Sequence, residues 1–252
     1  MKQFYADALD VRIYENRTQM GQAAAEDIKV CILKLLETKE QLNMIFAAAP
    51  SQNEVLAALA NDLQIPWNRV NAYHMDEYIG LASDAPQGFG NFLRNALFGL
   101  APFGSVSYID SAAADPQAEC DRYSQLLREN PVDIVVMGIG ENGHIAFNDP
   151  PVADFQDPEL VKIVQLDPIC RQQQVNDGCF ASLDLVPTHA LTLTVPALMA
   201  AKHHFCIVPA PTKAKAVQAT VCGAVGEHCP ATCLRSCPGA VLYLEPDSAA
   251  LL

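Results

Sequence analysis

Asp133-Ile134-Val135-Val136-Met137-Gly138-Ile139-Gly140-Glu141-Asn142-Gly143-His144-Ile145-Ala146-Phe147-Asn148-Asp149-Pro150 is the stretch on which the reading of this chain turns. Ile134 to Met137 is a short apolar run rich in β-branched residues, the composition of a strand buried on both faces in a parallel sheet. The run stops at Gly138, Gly140 and Gly143, so a tight loop stands at the strand's carboxyl end. Open α/β sheets place their ligands at such ends. His144 and Asp149 fall in this loop, with the amides of Asn142 and Asn148 beside them. Histidine titrates near neutral pH, and a carboxylate can fix its tautomer and raise its basicity. The glycines also match G-x-G-x-x-G, but the dinucleotide fingerprint needs a helix starting inside the motif. Phe147-Asn148-Asp149-Pro150 is turn chemistry instead, so no dinucleotide site is expected.

Outward from this loop, short apolar runs alternate with amphipathic ones. Asn16 or Thr18 caps a helix to about Thr38, with Ile28, Cys31, Ile32, Leu35 and Leu36 on one face. Met44 to Ala47 reads as a buried strand. Ser51 and Glu54 have the spacing of a capping box before Val55, Leu56, Leu59 and Leu63, which sets free N–H groups at a strand end, where an anion is favoured. Arg69 to Met75 reads as the next strand and leads into Asp76 and Glu77. A helix is expected over Pro86 to Leu100, a strand over Val106 to Ile109, and a helix capped by Asp115 with Pro116 at its first position. Strands follow at Val161 to Leu166, Ala190 to Val195, Phe205 to Val208 and Val241 to Leu244. Lys213 stands near the start of a helix, where a cation opposes the helix dipole and an anion nearby would offset it. The alternation predicts an α/β fold: a doubly wound, Rossmann-like, mostly parallel sheet with helices on both faces, in one domain over 1–252.

The chain has 252 residues and a net charge of −13, which disfavours a nucleic-acid partner. No apolar run approaches the roughly 20 residues needed to cross a bilayer, and the amino terminus has no long apolar core, so a cytoplasmic protein without a membrane partner is expected. The nine cysteines then read mostly as reduced thiols. Cys222, Cys229, Cys233 and Cys237, with His228, are separated by six, three and three residues, unlike compact zinc pairs. The last three would fit one helical face, and no metal is expected.

Met75-Asp76-Glu77-Tyr78-Ile79-Gly80-Leu81 and Gly138 to Pro150 resemble the two signatures of the glucosamine-6-phosphate deaminases, and the likeness extends to Val186-Pro187-Thr188-His189-Ala190-Leu191-Thr192-Leu193 and the Lys213 helix. The related 6-phosphogluconolactonases share Gly143-His144 and usually continue differently. The resemblance implies that an amino sugar's ring is opened, a proton moves between adjacent carbons, and ammonia leaves to give a ketose phosphate. It implies no cofactor, a small sugar substrate that is phosphorylated, and leaves homo-oligomerisation open. Asp76 would be the base and His144 would open the ring, supported by Asn142 and Asp149. Ser51, Gln52, Glu77, Gly140, Gly143 and Lys213 would contact substrate. The alternatives are a sugar lactonase of the same superfamily and a non-catalytic sugar-responsive protein, although a binder needs no proton-transfer base.

The chain departs from the family at the phosphate end. The Thr/Ser-Gly-Gly-Thr-Pro type loop reads Ala48-Ala49-Pro50-Ser51-Gln52-Asn53-Glu54, and a common arginine falls where the chain reads Asn176-Asp177-Gly178-Cys179-Phe180. Asn142 stands where aspartate is frequent, and Asp149 where glutamate is usual. With Lys213 as the one recognised cation, weak binding of glucosamine-6-phosphate, or activity on another sugar, is expected.

Overall fold

The computed structural model describes residues 1–252. A hairpin of β1 (Lys2–Ala6) and β2 (Leu9–Ile13), not expected from the sequence, precedes α1 (Arg17–Leu35), whose cap is Asn16 accepting from the Gln19 N–H at 2.9 Å. Then come β3 (Leu42–Phe46), α2 (Asn53–Ala60), β4 (Val70–His74), β5 (Asp76–Tyr78), α3 (Phe89–Leu93) and β6 (Ser105–Ser107). The second half runs through α4 (Pro116–Glu129), β7 (Ile134–Met137), β8 (Val161–Gln165), α5 (Pro168–Asn176), β9 (His189–Leu193) and α6 (Val195–Met199). It ends with β10 (His203–Val208), α7 (Ala214–Cys222) and β11 (Ala240–Leu244).

Eight strands form one sheet in the order β1-β2-β11-β10-β7-β3-β4-β6, parallel throughout except for β1 against β2. β7 lies in the interior, and all four of its residues are buried. Ile134 and Val136 join the core under α1 and α2, with Met20, Ile28, Val55 and Leu59. Val135 and Met137 join the opposite core under α4 and α7, with Tyr123, Leu127 and Val217. Strand residues alternate between faces, so this one run of four feeds both layers, and helices cover both faces as expected. The chain passes outward from β3 through β4 to β6, and from β7 the other way through β10 to β11. The β3–β7 boundary is therefore the topological switch point, where such sheets hold ligands.

Two expectations change. Residues 161–165 and 189–193 do not extend the large sheet; β8 and β9 pair antiparallel with each other and with β5 as a separate sheet, β5-β9-β8. The threonines of this segment are buried with their hydroxyls paired: Thr192 Oγ1 accepts from the Phe147 N–H at 3.0 Å, and Thr194 Oγ1 donates to the Glu159 carbonyl at 2.7 Å. The Ser51–Glu54 capping box is absent. Pro50–Gln52 form a 3-10 turn, α2 starts without a side-chain cap, and Glu54 Oε1 accepts from Arg17 Nε at 2.6 Å instead.

Tyr123 of α4 links this scaffold to β4. Its hydroxyl accepts from the His74 N–H at 3.0 Å and faces the His74 carbonyl at 3.0 Å and the Ser107 carbonyl at 3.2 Å. Tyr123→Phe leaves a buried N–H unpaired and should lower unfolding stability by about 1–3 kcal/mol. Denaturant titration checks this: the midpoint should fall while the slope stays fixed.

Candidate active site

The chain leaves β4 at His74 and enters β5 at Asp76, so two elements of different sheets meet at the acidic pair. Adjacent strand residues face opposite ways. Asp76 points into an open cleft lined by residues of several loops. Burial raises its carboxyl well above the ordinary range, and the nearby Glu77 adds to this. Glu77 faces away. Its Oε1 accepts from the N–H groups of Tyr78 (2.9 Å) and Phe89 (3.1 Å), and Oε2 from Gly90 (2.9 Å). Burial raises the Glu77 carboxyl and these three donors pull it down, leaving it somewhat high. Glu77 thus caps α3 from another strand and does not line the cleft, contrary to the expected substrate contact.

Behind Asp76, His74 is fully buried. Its Nδ1 donates to the Asp76 carbonyl at 2.9 Å and its Nε2 accepts from the Ile109 N–H at 2.9 Å, which requires the neutral ring. Burial drives its pKa down from 6.5 to about 4, against the raising effects of the Asp76 carbonyl and Glu119.

Across the cleft, His144 follows β7. Its Nδ1 lies 2.8 Å from Asn142 Oδ1 and 3.0 Å from Asp149 Oδ1. Two acceptors there mean that Nδ1 carries a proton, and Nε2 is the open nitrogen. Asn142 Nδ2 in turn donates to Asp149 Oδ1 at 2.9 Å. Burial would raise the Asp149 carboxyl, but His144 and Asn142 together bring it below the ordinary range. The loop's glycines are set by space. A Cβ at Gly140 would stand 2.1 Å from His144 Cε1, so the ring lies over bare backbone. Gly143 (φ +85) turns the chain and packs on Cys229, whose Sγ would be 2.6 Å from an added Cβ. Ala146 and Ala210 also line the cleft with positive φ, 49° and 86°, a strain of roughly 1–3 kcal/mol each that the fold must hold in place.

Asp76, His144, Ser51, Gly140 and Lys213 are therefore brought to one cleft. Asn142 and Asp149 stand behind the imidazole and touch it alone among the cleft residues. Gln52 and Gly143 turn away: Gln52 is buried, its Nε2 donating to the Ile207 carbonyl at 3.1 Å and to Ser51 Oγ at 3.0 Å. Lys213 is buried, which lowers its pKa, while Asp177 and Glu141 act on it through space in the raising direction. The sequence reading missed Arg17, Gln174 and Asp177, which also line the cleft, as does Phe89 of the helix expected over Pro86 to Leu100. Two of these come with α5, whose Asp167-Pro168 start repeats the Asp115-Pro116 signal.

The carboxyl-terminal cysteines do not share a helical face. Cys229 precedes a 3-10 segment, Pro230–Ser236, and Cys237 follows it; Cys237 Sγ meets Met199 Sδ at 3.6 Å. Ligand atoms of His144, Asp149 and Cys170 lie within 4.8 Å of one another. Their chemistry suits a metal poorly, because His144 Nδ1 is already committed and burial holds the Cys170 thiol well above its ordinary pKa.

A buried carboxyl and an imidazole held by one nitrogen, facing each other over the switch point of a doubly wound sheet, mark an α/β enzyme for a small molecule. A family model for glucosamine-6-phosphate isomerases/6-phosphogluconolactonase matches residues 15–243. The chain belongs to that family. It is 32% identical over 238 residues to the glucosamine-6-phosphate deaminase of Listeria welshimeri, covering 94% of this chain and 97% of the relative. The Lactobacillus delbrueckii subsp. bulgaricus deaminase is 30% identical over 246 residues, covering 97% and 100%. A solved monomeric glucosamine-6-phosphate deaminase superposes with a TM-score of 0.87 at 26% identity, covering 96% and 99%. The 6-phosphogluconolactonase of Thermotoga maritima shares the fold, at TM-score 0.75 and 22% identity over 93% and 98%.

His74 makes the site's foundation acid-sensitive. Its folded pKa is depressed, so the unfolded chain binds the extra proton first as pH falls from 6.5. The neutral ring's stabilising contribution is present above that pH and is lost on descent towards 4, by roughly 3 kcal/mol. Asp76 titrates with the opposite sign, so the comparison is with His74→Gln. The stability gap between wild type and variant should narrow by about that amount from pH 6.5 to 4, measured by denaturant unfolding at each pH.

Proposed function

We propose that this chain is an aldose–ketose isomerase and deaminase that converts an amino sugar phosphate, glucosamine-6-phosphate or a close relative, into a ketose phosphate and ammonia. One observation carries the reading: the Asp76 carboxyl at the start of β5 and the open Nε2 of His144 in the loop after β7 face the same cleft, with Lys213 in its wall. In the proposed sequence, His144 moves a proton from the anomeric hydroxyl to the ring oxygen, which opens the ring. Asp76 takes the proton from C-2 and returns it to C-1, while one proton of the substrate's ammonium passes to O-1, leaving a protonated imine at C-2 and a hydroxyl at C-1. Water adds to that imine and ammonia departs, so one water is consumed for each ammonia released. Asn142 and Asp149 are positioning residues that hold Nδ1–H and leave Nε2 free for both directions of transfer. A carboxyl raised towards the working pH is a stronger base than an ordinary aspartate, which suits abstraction from carbon. A lactonase needs an activated water but no base at C-2, so Asp76 favours the deaminase. The reading also places the chain in the cytoplasm, where charge retains phosphorylated sugars.

Ammonia release from glucosamine-6-phosphate, with glucosamine and 6-phosphogluconolactone alongside, tests the assignment. Lactone hydrolysis without ammonia release would overturn it. Asp76→Asn should lower turnover by about 10²–10⁴-fold, because the amide cannot accept the proton, while calorimetry still detects binding of the sugar phosphate, weakened only by the lost pairing with its amine. Full turnover in this variant would assign the base elsewhere.

A further inference from the structure

The phosphate end of the cleft holds a second cation that the sequence comparison does not supply. Arg17 is the first residue of α1, a position where a cation opposes the helix dipole, yet its side chain enters the cleft wall beside Ser51 and Lys213. Two contacts fix it there. Nε donates to Glu54 Oε1 at 2.6 Å, and Nη2 donates to the Pro50 carbonyl. A guanidinium has five N–H donors in a rigid fork, so three remain, two of them on Nη1. Gly21, one turn along α1, explains the reach. A Cβ there would stand 2.4 Å from Glu54 Cβ, so the bare backbone lets α1 and α2 touch and sets Arg17 over the first turn of α2. The same pairing ties up Glu54, the carboxylate that would otherwise repel an anion at this end. Ser51 Oγ accepts from Gln52 Nε2, which leaves its own proton to donate.

We infer that Arg17, with Lys213 and the Ser51 hydroxyl, forms the anion-binding end of this cleft, and that Arg17 sets the preference for a sugar phosphate over the free sugar. The inference rests on the reading of the preceding section and revises the expectation from the sequence that the anionic end has one cation. Lys213 is no longer the lone cation, and the planar fork of Arg17 supplies the paired donors that a lysine cannot. The glycine loop and the arginine that the family carries elsewhere are replaced by a cation delivered from α1.

The test uses Arg17→Gln and the double variant Arg17→Gln/Glu54→Gln, which removes both charges and leaves no bare carboxylate. Calorimetry with inorganic phosphate gives a readout that needs no turnover. Both variants should weaken phosphate binding about 10- to 100-fold, the worth of one charge-assisted hydrogen-bonding partner. In both, kcat/KM for glucosamine-6-phosphate should fall by a similar factor, mostly through KM, and the ratio to glucosamine should fall with it. Wild-type phosphate affinity in the double variant would overturn the inference, because the loss in Arg17→Gln alone would then belong to the exposed Glu54. A wild type that binds no phosphate would overturn it as well. If wild type binds phosphate in an Arg17-dependent way but releases no ammonia from glucosamine-6-phosphate, the anion site stands and the proposed reaction falls.

Discussion

The pairing of β3 with β7 sets the place where chemistry can occur. The chain steps away from β3 in one direction and from β7 in the other, so the connections leaving these neighbours part above a shared edge. Both strands feed the two cores at once: Met44 and Phe46 lie with Ile134 and Val136, and Ile45 with Val135 and Met137. Neither strand can shift without disturbing close-packed side chains on both faces. The loops at their ends inherit that fixity, and Ala47 to Ser51 and Gly138 to His144 keep their separation although they are irregular backbone.

Charge inside the cleft is handled group by group. Asp149 has the Nδ1–H of His144 and the amide of Asn142, and its carboxyl is depressed. Glu77 has three backbone N–H groups, which offset much of the burial cost. Asp76 has no such donor, and Asp177 and Glu141 offset the burial of Lys213 only in part. Burial pushes the carboxyl up and the ammonium down, each towards its neutral form. A ligand with a cationic amine near Asp76 and an anion near Lys213 would restore both charges. An amino sugar phosphate carries that pair of groups at opposite ends, so the protein's two strained ionisations match the proposed substrate's charge distribution. This complementarity is local, in a chain whose overall charge of −13 repels anions.

Much of this was legible in the sequence because the relevant signals are short. The apolar run Ile134–Met137, the glycine spacing after it and the Asp115-Pro116 cap each act within a few residues, and the structure places them as read. The misses depend on distant partners. Nothing near Val161 or Ala190 says that these strands join β5 in a separate sheet. Ser51 and Glu54 have capping-box spacing, but Arg17, 37 residues away from Glu54, takes the carboxylate. Cys229, Cys233 and Cys237 have helical spacing, but their segment winds as a 3-10 turn ended by Cys237. Gln52 sits in the phosphate-loop segment, yet its amide is used against the Ile207 carbonyl of β10.

Asp76 and Glu77 show how a single register decides function. Both are carboxylates on a three-residue strand, and composition does not distinguish them. The two-residue period of the strand sends one side chain to the cleft and the next to the amino end of α3. There Glu77 holds Phe89 and Gly90 by their N–H groups, and Phe89 forms part of the cleft wall. The same strand therefore carries the proposed base and anchors the helix that encloses it. On the other flank, the His74 ring holds the Asp76 carbonyl while the carboxyl stays free of that contact. Moving the register by one residue would exchange the two acids. The cleft would then hold a carboxylate one methylene longer, and α3 would lose the reach of the side chain that caps it. The order Asp-Glu is thus fixed by geometry at both residues, with the short acid facing the reaction and the long one facing the helix.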